Sequence, residues 1–426
     1  MNFDLDPADV LFRDEVRAFL RDNLPKDMAE RNQRGPHTPR EDQKAWTKIL
    51  HRKGWSGPNW PREWGGTGWS PVRYFIFEEE CFCAGAPPID TSGFKMIGPV
   101  LMQYGSDALK QEFGPRILAG DVFWGQGFSE PESGSDLGSL STTAVRDGDD
   151  YVINGRKIWT SYVEKADMIF LLAKTDPTAR QRGISMLLVD KHAPGVTIRP
   201  IIDIGEIHSL NEVTFDDVRT PARYLVGEEG MGWGYGKYLL EMERAFSAEW
   251  PRNKRNLQVL REMAYVARAD TTRLIDSPGF ASRLAALEVD LQALEWLTLR
   301  ALYDKTNGSG NGNSNGNSNA PGRLPMGSLL KIRGSELLQK IGEMQVEALG
   351  DIAAYVYPDP EHVRCQPTDE PLMSSQSPHS PQSTLPPDAH RAMGIVADFM
   401  YRRAATIYGG SNEVQRNIIA RSFLEL

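Results

Sequence analysis

Glu243 is set apart from the chain's other acids by its neighbours. Residues three and four away along a helix are Leu239, Leu240, Phe246 and Ser247, so its carboxylate shares a face with apolar groups and has no cation within in-helix reach. Glu241 has Lys237 four residues back, and a solvated surface pair accounts for it. A carboxylate on an apolar face is either compensated from another element or carries a raised pKa, which suits a general base near neutral pH. The spacing alone leaves a structural and a catalytic role both open.

Two other stretches have the composition of a binding site. Gly125 to Ser161 reads GQGFSEPESGSDLGSLSTTAVRDGDDYVINGRKIWTS, a glycine- and serine-rich loop followed by strand pattern and a Trp-Thr-Ser. Glycine lets the main chain approach a ligand closely, and free amides with small hydroxyls suit a phosphate-bearing or heterocyclic group. Near the C-terminus a helix stops at Gly409-Gly410 and another starts at Ser411, a good N-cap whose helix aims its free amides beyond Gly410. An ordinary turn with a glycine C-cap explains that pattern equally well.

The elements that must position these groups follow from periodicity. Residues 7 to 122 read as helices: Phe12, Val16, Phe19 and Leu20 have helical spacing after Pro7, and Pro25 ends that segment. The turn-rich GWSGPNWPREWGGTGWSP from Gly54 to Pro71 must bury Trp55, Trp60, Trp64 and Trp69, and packing against the helices is the simplest solution. Helices are expected from about Pro71 to Gly85 and Met96 to Ala119, with a break at Gly105-Ser106-Asp107. The period then changes to two. Asn154-Gly155 predicts a tight hairpin turn, and strands are expected at Met168 to Ala173, Ile184 to Val189, Val196 to Pro200 and Glu212 to Phe215.

Helices return after Gly232, with breaks near Ser277-Pro278-Gly279 and at two low-complexity inserts, 307–322 and 358–388. The expected architecture is mostly α with an inserted β domain. An N-terminal helical domain spans 1–122, a middle β-barrel or sheet domain 123–234, and a C-terminal four-helix bundle 235–426.

A chain of 426 residues with 40% hydrophobic content can bury a substantial core, and its net charge of −9 points away from nucleic acid and anionic membranes. Cys81, Cys83 and Cys365 have neither disulfide nor zinc spacing, so no metal is expected, and three unpaired thiols fit a reducing compartment. MNFDLDPADV is acidic, with neither an apolar h-region nor an arginine-rich presequence, and no 18-residue apolar run occurs, so the expected location is cytoplasmic.

S-E-P-x-x-G-S-D from Ser129, N-G-R-K-x-W-T-S from Asn154 and Y-G-G-S-N-E-V-Q-R-N-I-I-A-R from Tyr408 together resemble the signatures of the acyl-CoA dehydrogenase family. The resemblance covers nearly everything except the two inserts. It implies an FAD-dependent α,β-dehydrogenation of an acyl-CoA thioester, with an electron-transferring flavoprotein as acceptor and a dimer or tetramer as the assembly. It places Gln126, Phe128, Ser129, Gly134 and Ser135 along the FAD, Trp159, Thr160 and Ser161 at the flavin ring, and Ser411 and Glu413 at the cofactor from the C-terminal helix. Ser135, Glu241 and Arg244 would meet the substrate.

Many members carry the catalytic base immediately after the motif tyrosine, where this chain has Gly409. A branch similar to isovaleryl-CoA dehydrogenase carries it before an arginine earlier in the chain, as Glu243-Arg244 does here. The resemblance thus makes Glu243 the base for the α-proton, sends the β-hydrogen as hydride to flavin N5, and assigns the thioester oxygen to the Gly409 amide. Space at Gly409 suits a branched or bulky acyl group, lined by Phe94 to Tyr104 and Tyr238 to Trp250. Two departures stand out: Ser277 replaces the arginine that grips a neighbouring subunit's FAD, and Gly350-Asp351 replaces a pair of glycines. They are what a half-site subunit of a heteromeric acyl-CoA dehydrogenase would show, which is the alternative reading.

Overall fold

The computed structural model describes residues 5–34, 38–205, 207–246, 248–269, 271–307, 325–354 and 389–424. The two inserts, 307–322 apart from its first residue and 358–388 with Cys365, lie outside them. Six helices come first: α1 (Pro7–Asn23), α2 (Lys26–Arg34), α3 (Arg40–Lys53), α4 (Pro71–Ala84), α5 (Gly98–Tyr104) and α6 (Asp107–Ala119). Their ends are locally encoded. Asp6, Ser70 and Ser106 each accept a bond from a first-turn amide, and Gly54, Gly85 and Gly120 close their helices in the left-handed conformation.

The tryptophan-rich loop packs as expected. Trp55 lies 4.8 Å from Phe19 and 5.4 Å from Trp69, and Trp60 Nε1 donates to the Phe94 carbonyl at 2.8 Å. The helix expected to begin at Met96 is preceded by a π-helical turn, Ser92–Ile97, that runs directly into α5. Asp90 accepts bonds from the Ser92 and Gly93 amides at its start.

Seven strands form one sheet: β1 (Trp124–Gly127), β2 (Thr143–Asp147), β3 (Asp150–Lys157), β4 (Met168–Lys174), β5 (Ile184–Asp190), β6 (Val196–Ile202) and β7 (His208–Pro221). The order is β1-β4-β2-β3-β7-β6, with β5 also on β4. β4 and β5 are buried on both faces, because one side meets the helices and the other a small core around Ile153, Ile169 and Phe215.

Asn154-Gly155 is not a hairpin turn. β3 runs straight through it, and the β2–β3 turn falls instead at Gly148, whose φ is +61°. Gly155 is a bulge: the register against β7 shifts between Ile153 and Gly155, φ is +150°, and an added Cβ would sit 2.5 Å from Thr142 Oγ1. Asn154 matches the irregularity by exchanging bonds with Asp217, itself at φ +50°.

The C-terminal helices are α7 (Gly232–Phe246), α8 (Trp250–Val266), α9 (Pro278–Asn307), α10 (Met326–Leu349), α11 (Ala389–Tyr401) and α12 (Asn412–Phe423). They pack around Leu260, Leu294, Leu337 and Ile341. The sequence pattern did not separate α7 from α8, nor show the small hairpin of β8 (Arg268–Ala269) and β9 (Thr272–Arg273). A side chain at Gly155 demands both a left-handed-side φ and space that Thr142 occupies. Gly155→Ala is therefore expected to lower unfolding free energy by about 1–3 kcal/mol, read from denaturant midpoints.

Candidate active site

The loop after β1 is fastened to the end of β3 by a buried ion pair. Lys157, fully buried, donates from Nζ to Glu130 Oε1 at 2.8 Å and to the Phe128 carbonyl at 3.1 Å. Glu130 also accepts from the Ser141 amide and hydroxyl at 2.6 and 2.7 Å and from the Thr142 amide at 3.0 Å. Burial pushes the Glu130 carboxyl up, but Lys157 and these donors prevail and hold it at about 2. The Ile158 amide donates to Ser129 O at 2.9 Å, completing the join.

Beyond that join the chain makes an unusual turn. Trp159 and Tyr162 both have positive φ, +61° and +53°, and the indole of Trp159 is 56% exposed. Asn211, buried on β7, holds the turn: its side-chain amide donates to Thr160 O and Glu164, while its own carbonyl accepts from the Thr160 amide. His208 Nε2 lies 2.8 Å from Asn211 Oδ1. At the C-terminal end, Ser411 Oγ accepts from the Val414 amide as an N-cap, and Asn412 is held by Lys331 Nζ at 2.9 Å.

These parts meet at a cavity of about 1820 Å³. Gln126, Ser129, Gly134, Ser135, Trp159, Ser161 and Gly409 line it. Phe128, Thr160, Ser411 and Glu413 do not. The Phe128 ring is in the core, edge-on to Phe170, so only its backbone is near the loop, and Glu413 is an exposed residue of α12. Of the expected acyl-pocket segments, Lys95, Met96 and Glu249 reach the cavity. Phe94, Ile97, Val100 and Leu101 face the core instead, since a helix presents one side only, and Trp250 stacks on Phe75 at 3.7 Å. The side chains of Glu241, Glu243 and Arg244, on the last turns of α7, lie outside the described residues.

Sequence reasoning missed a polar cluster beside Gly409. Glu249 sits between α7 and α8 at φ +41°. Its carboxylate accepts from Arg252 Nε at 2.7 Å, from the Tyr408 hydroxyl at 3.3 Å and from Arg402 Nη1 at 3.5 Å. Burial pushes this carboxyl up, but Arg402 and Arg252 outweigh it and keep it below the ordinary range. Pro251, at the second position of α8, is the available signal, because proline is tolerated in a helix's first turn and so marks a helix start just before it. Asp90 differs: burial pushes its carboxyl up to about 7 against the pull of the Gly93, Ser92 and Trp124 amides.

The comparisons match this arrangement along the whole chain. Residues 6–121, 125–218 and 230–424 match the acyl-CoA dehydrogenase N-terminal, middle and C-terminal domain families respectively. The chain belongs to the acyl-CoA dehydrogenase family. Acyl-CoA dehydrogenase IpdE1 of Mycobacterium tuberculosis (strain ATCC 25618 / H37Rv) is 34% identical over 422 residues, 97% of each chain. Among solved structures, the Tcur3481-Tcur3483 steroid ACAD superposes with a TM-score of 0.79 at 28% identity, covering 100% of this chain and 99% of that one. The ChsE4-ChsE5 complex from Mycobacterium tuberculosis does so at 0.76 and 29%, with the same coverage. The enzyme is thus an oxidoreductase acting on acyl-CoA, in a family that is FAD-dependent and often oligomeric.

The residues present fit such a cofactor. Gly134 has open space where a Cβ would stand, the Thr160 hydroxyl is buried without a protein partner, and residues of both loops line the cavity. Among the described residues no helix is long and apolar enough to cross a membrane, and no His, Cys, Asp and Glu group could hold a metal ion.

Two predictions follow from the charges. Lys157→Met strands a buried carboxylate and should cost about 3–5 kcal/mol, whereas Glu130→Gln combined with Lys157→Met should cost less; chemical denaturation of the three proteins tests this. Asp90, with its folded pKa above the unfolded one, binds a proton on folding, so its stabilising contribution is full below pH 4 and is lost as pH rises through about 7. In Asp90→Asn the fall of stability with pH across that window should flatten, by up to about one proton in the linkage slope.

Proposed function

We propose that this acyl-CoA dehydrogenase oxidises the Cα–Cβ bond of a branched or bulky acyl-CoA, with Glu243 as the base. The observation that carries the reading is the shared cavity, onto which the Ser129–Ser135 loop, the Trp159–Ser161 turn and Gly409 converge from three distant parts of the chain. Glu243 is supported by its place on α7 and by glycine at 409, a residue with no side chain to abstract a proton. In this reading the Glu243 carboxylate takes the α-proton. The Gly409 amide, at φ +66° in a turn between two helices, donates to the thioester oxygen as negative charge develops there. Ser135, Glu241 and Arg244 orient the substrate.

Gln126, Ser129, Gly134, Trp159 and Ser161 would hold the cofactor from the cavity wall. Phe128, Thr160, Ser411 and Glu413 would contribute from behind it through backbone, hydroxyl or helix terminus. Bound FAD would supply the hydride acceptor for the β-hydrogen, including its N5. An electron-transferring flavoprotein is the proposed acceptor of the electrons. The division at 122/123 and 234/235 remains the proposed domain scheme, with location in the cytoplasm.

A second reading, a half-site subunit of a heteromer, is favoured by Ser277, where the family resemblance implies an arginine on a neighbouring subunit's FAD, and by the exposed Gly350-Asp351, where it implies two glycines. Both solved structures above bear two protein names. The visible spectrum of the protein purified alone separates the readings. A bound flavin that bleaches with an acyl-CoA in the wild type, but at least about 10³-fold more slowly in Glu243→Gln, is the expected result. A colourless protein that gains flavin only when a second chain is co-expressed would support the half-site reading instead.

A further inference from the structure

The Gly409 amide, the proposed donor to the thioester oxygen, belongs to the least self-determined backbone of the site. Gly409 and Gly410 are consecutive glycines at φ +66° and +83°, and neither has a side chain to pack. The segment leading in is closed, because the Ile407 and Tyr408 amides both turn back onto the Ala404 carbonyl at 2.8 and 3.0 Å. The Gly409 amide comes next, and it has no protein acceptor among the described residues. Its direction therefore depends on whatever holds the turn from either side.

On the C-terminal side that group is Gln415, on α12. It is 1% exposed, stands behind the cavity wall rather than on it, and donates from Nε2 to the Gly410 carbonyl at 3.2 Å. Its amide has one workable orientation, since the flipped form would set Oε1 against that carbonyl. Oε1 is buried without a protein partner. A Cβ on Gly410 would stand 2.5 Å from Nε2, so the contact closes over a residue with no side chain. On the N-terminal side, Tyr408 is 39% exposed, yet its hydroxyl is tied to Arg402 Nη1 at 3.1 Å and to Glu249 at 3.3 Å. Arg402 is buried and fixed in turn: Nε donates to Asp398 at 3.0 Å, and its carbonyl accepts from Gln339 Nε2 at 3.0 Å.

A buried glutamine with one bond made and one acceptor unpaired is a poor way to stabilise a core, where a methionine of similar length would leave nothing of its own unsatisfied. Its worth lies in where it holds Gly410. We propose that Gln415, together with Tyr408 anchored on Arg402, are positioning residues that clamp the Gly409 amide in place for the thioester oxygen. The inference rests on the acyl-CoA reading given above. Each residue acts through the backbone, removing freedom from a donor whose value in the transition state depends on its standing in place beforehand.

The test uses the full-length protein, Gln415→Met and Tyr408→Phe, with 3,3-dimethylbutanoyl-CoA carrying carbon-13 at the carbonyl. That thioester has α-hydrogens but no β-hydrogen, so it can bind and exchange an α-proton without being oxidised. The quantities read are amide hydrogen exchange across 404–412 in the ligand-free protein, the carbonyl stretching frequency of the bound thioester, and α-proton exchange with heavy water. In both variants amide exchange should quicken about fivefold, the effect of one lost hydrogen bond. The carbonyl frequency, lowered on binding to the wild type, should move back toward its value in water. Exchange of the α-proton should slow at least about tenfold while Kd changes less than about threefold. Gln415→Met should also unfold at the same denaturant concentration as the wild type or a higher one, which a merely structural role would not allow. Amide exchange and carbonyl frequency unmoved in both variants, or a wild-type frequency unchanged on binding, would overturn the proposal. Faster amide exchange in the variants, with no thioester bound by any of the three proteins, would uphold the clamp and defeat the acyl-CoA reading instead.

Discussion

An ammonium and a carboxylate removed from water are stable only if each is fully satisfied, and the Glu130–Lys157 pair meets that demand with donors drawn from several segments. The carboxylate gathers the chain at Ser141 and Thr142, while the ammonium gathers the carbonyl of Phe128. Neither ion can be satisfied unless the glycine-rich loop and the end of β3 lie together. The pair therefore fixes the separation of the two loops that border the cavity, and the Trp159 turn inherits its position from it. Asn211 extends the same logic from β7, so a polar scaffold behind the site orders backbone amides that carry no sequence information themselves.

The cavity depends equally on places where regular structure stops. α7 ends, Glu249 takes a left-handed conformation, and α8 begins at once, which turns a carboxylate toward Arg402 and Tyr408. The Gly409-Gly410 turn lets α12 start close by, with Asn412 anchored to Lys331 on α10. A continuous α7–α8 helix would carry Glu249 on a regular face, away from the partners that neutralise it. Backbone departures of this kind cluster where function needs a side chain that periodic structure cannot aim.

Much of this was legible in the sequence. Pro7 and Pro25 mark α1, Pro71 and Gly85 mark α4, the Gly105-Ser106-Asp107 break marks the start of α6 and Ser411 that of α12; the period change locates the sheet, and the motifs around Ser129, Trp159 and Gly409 name the loops that share the cavity. The failures were long-range. Asn-Gly is a turn signal by its local preference for positive φ, but at Gly155 the same freedom serves a bulge because Asp217 on β7 pairs with Asn154. Lys157 looks like a solvated strand residue until its partner 27 positions earlier is known. The Glu249 cluster joins residues more than 150 positions apart, and no periodicity encodes that meeting.

The π-helical turn at Ser92–Ile97 has an evolutionary consequence. A π turn holds one more residue than an α turn, so losing a single residue there would restore α geometry and rotate the preceding segment by about 100° relative to α5. Pro99, Val100 and Leu101 would keep their places in the core, while Lys95 and Met96 would be re-aimed or replaced at the cavity wall. A one-codon deletion could thus remodel the pocket in a single step, at a site where point substitution alters one side chain at a time.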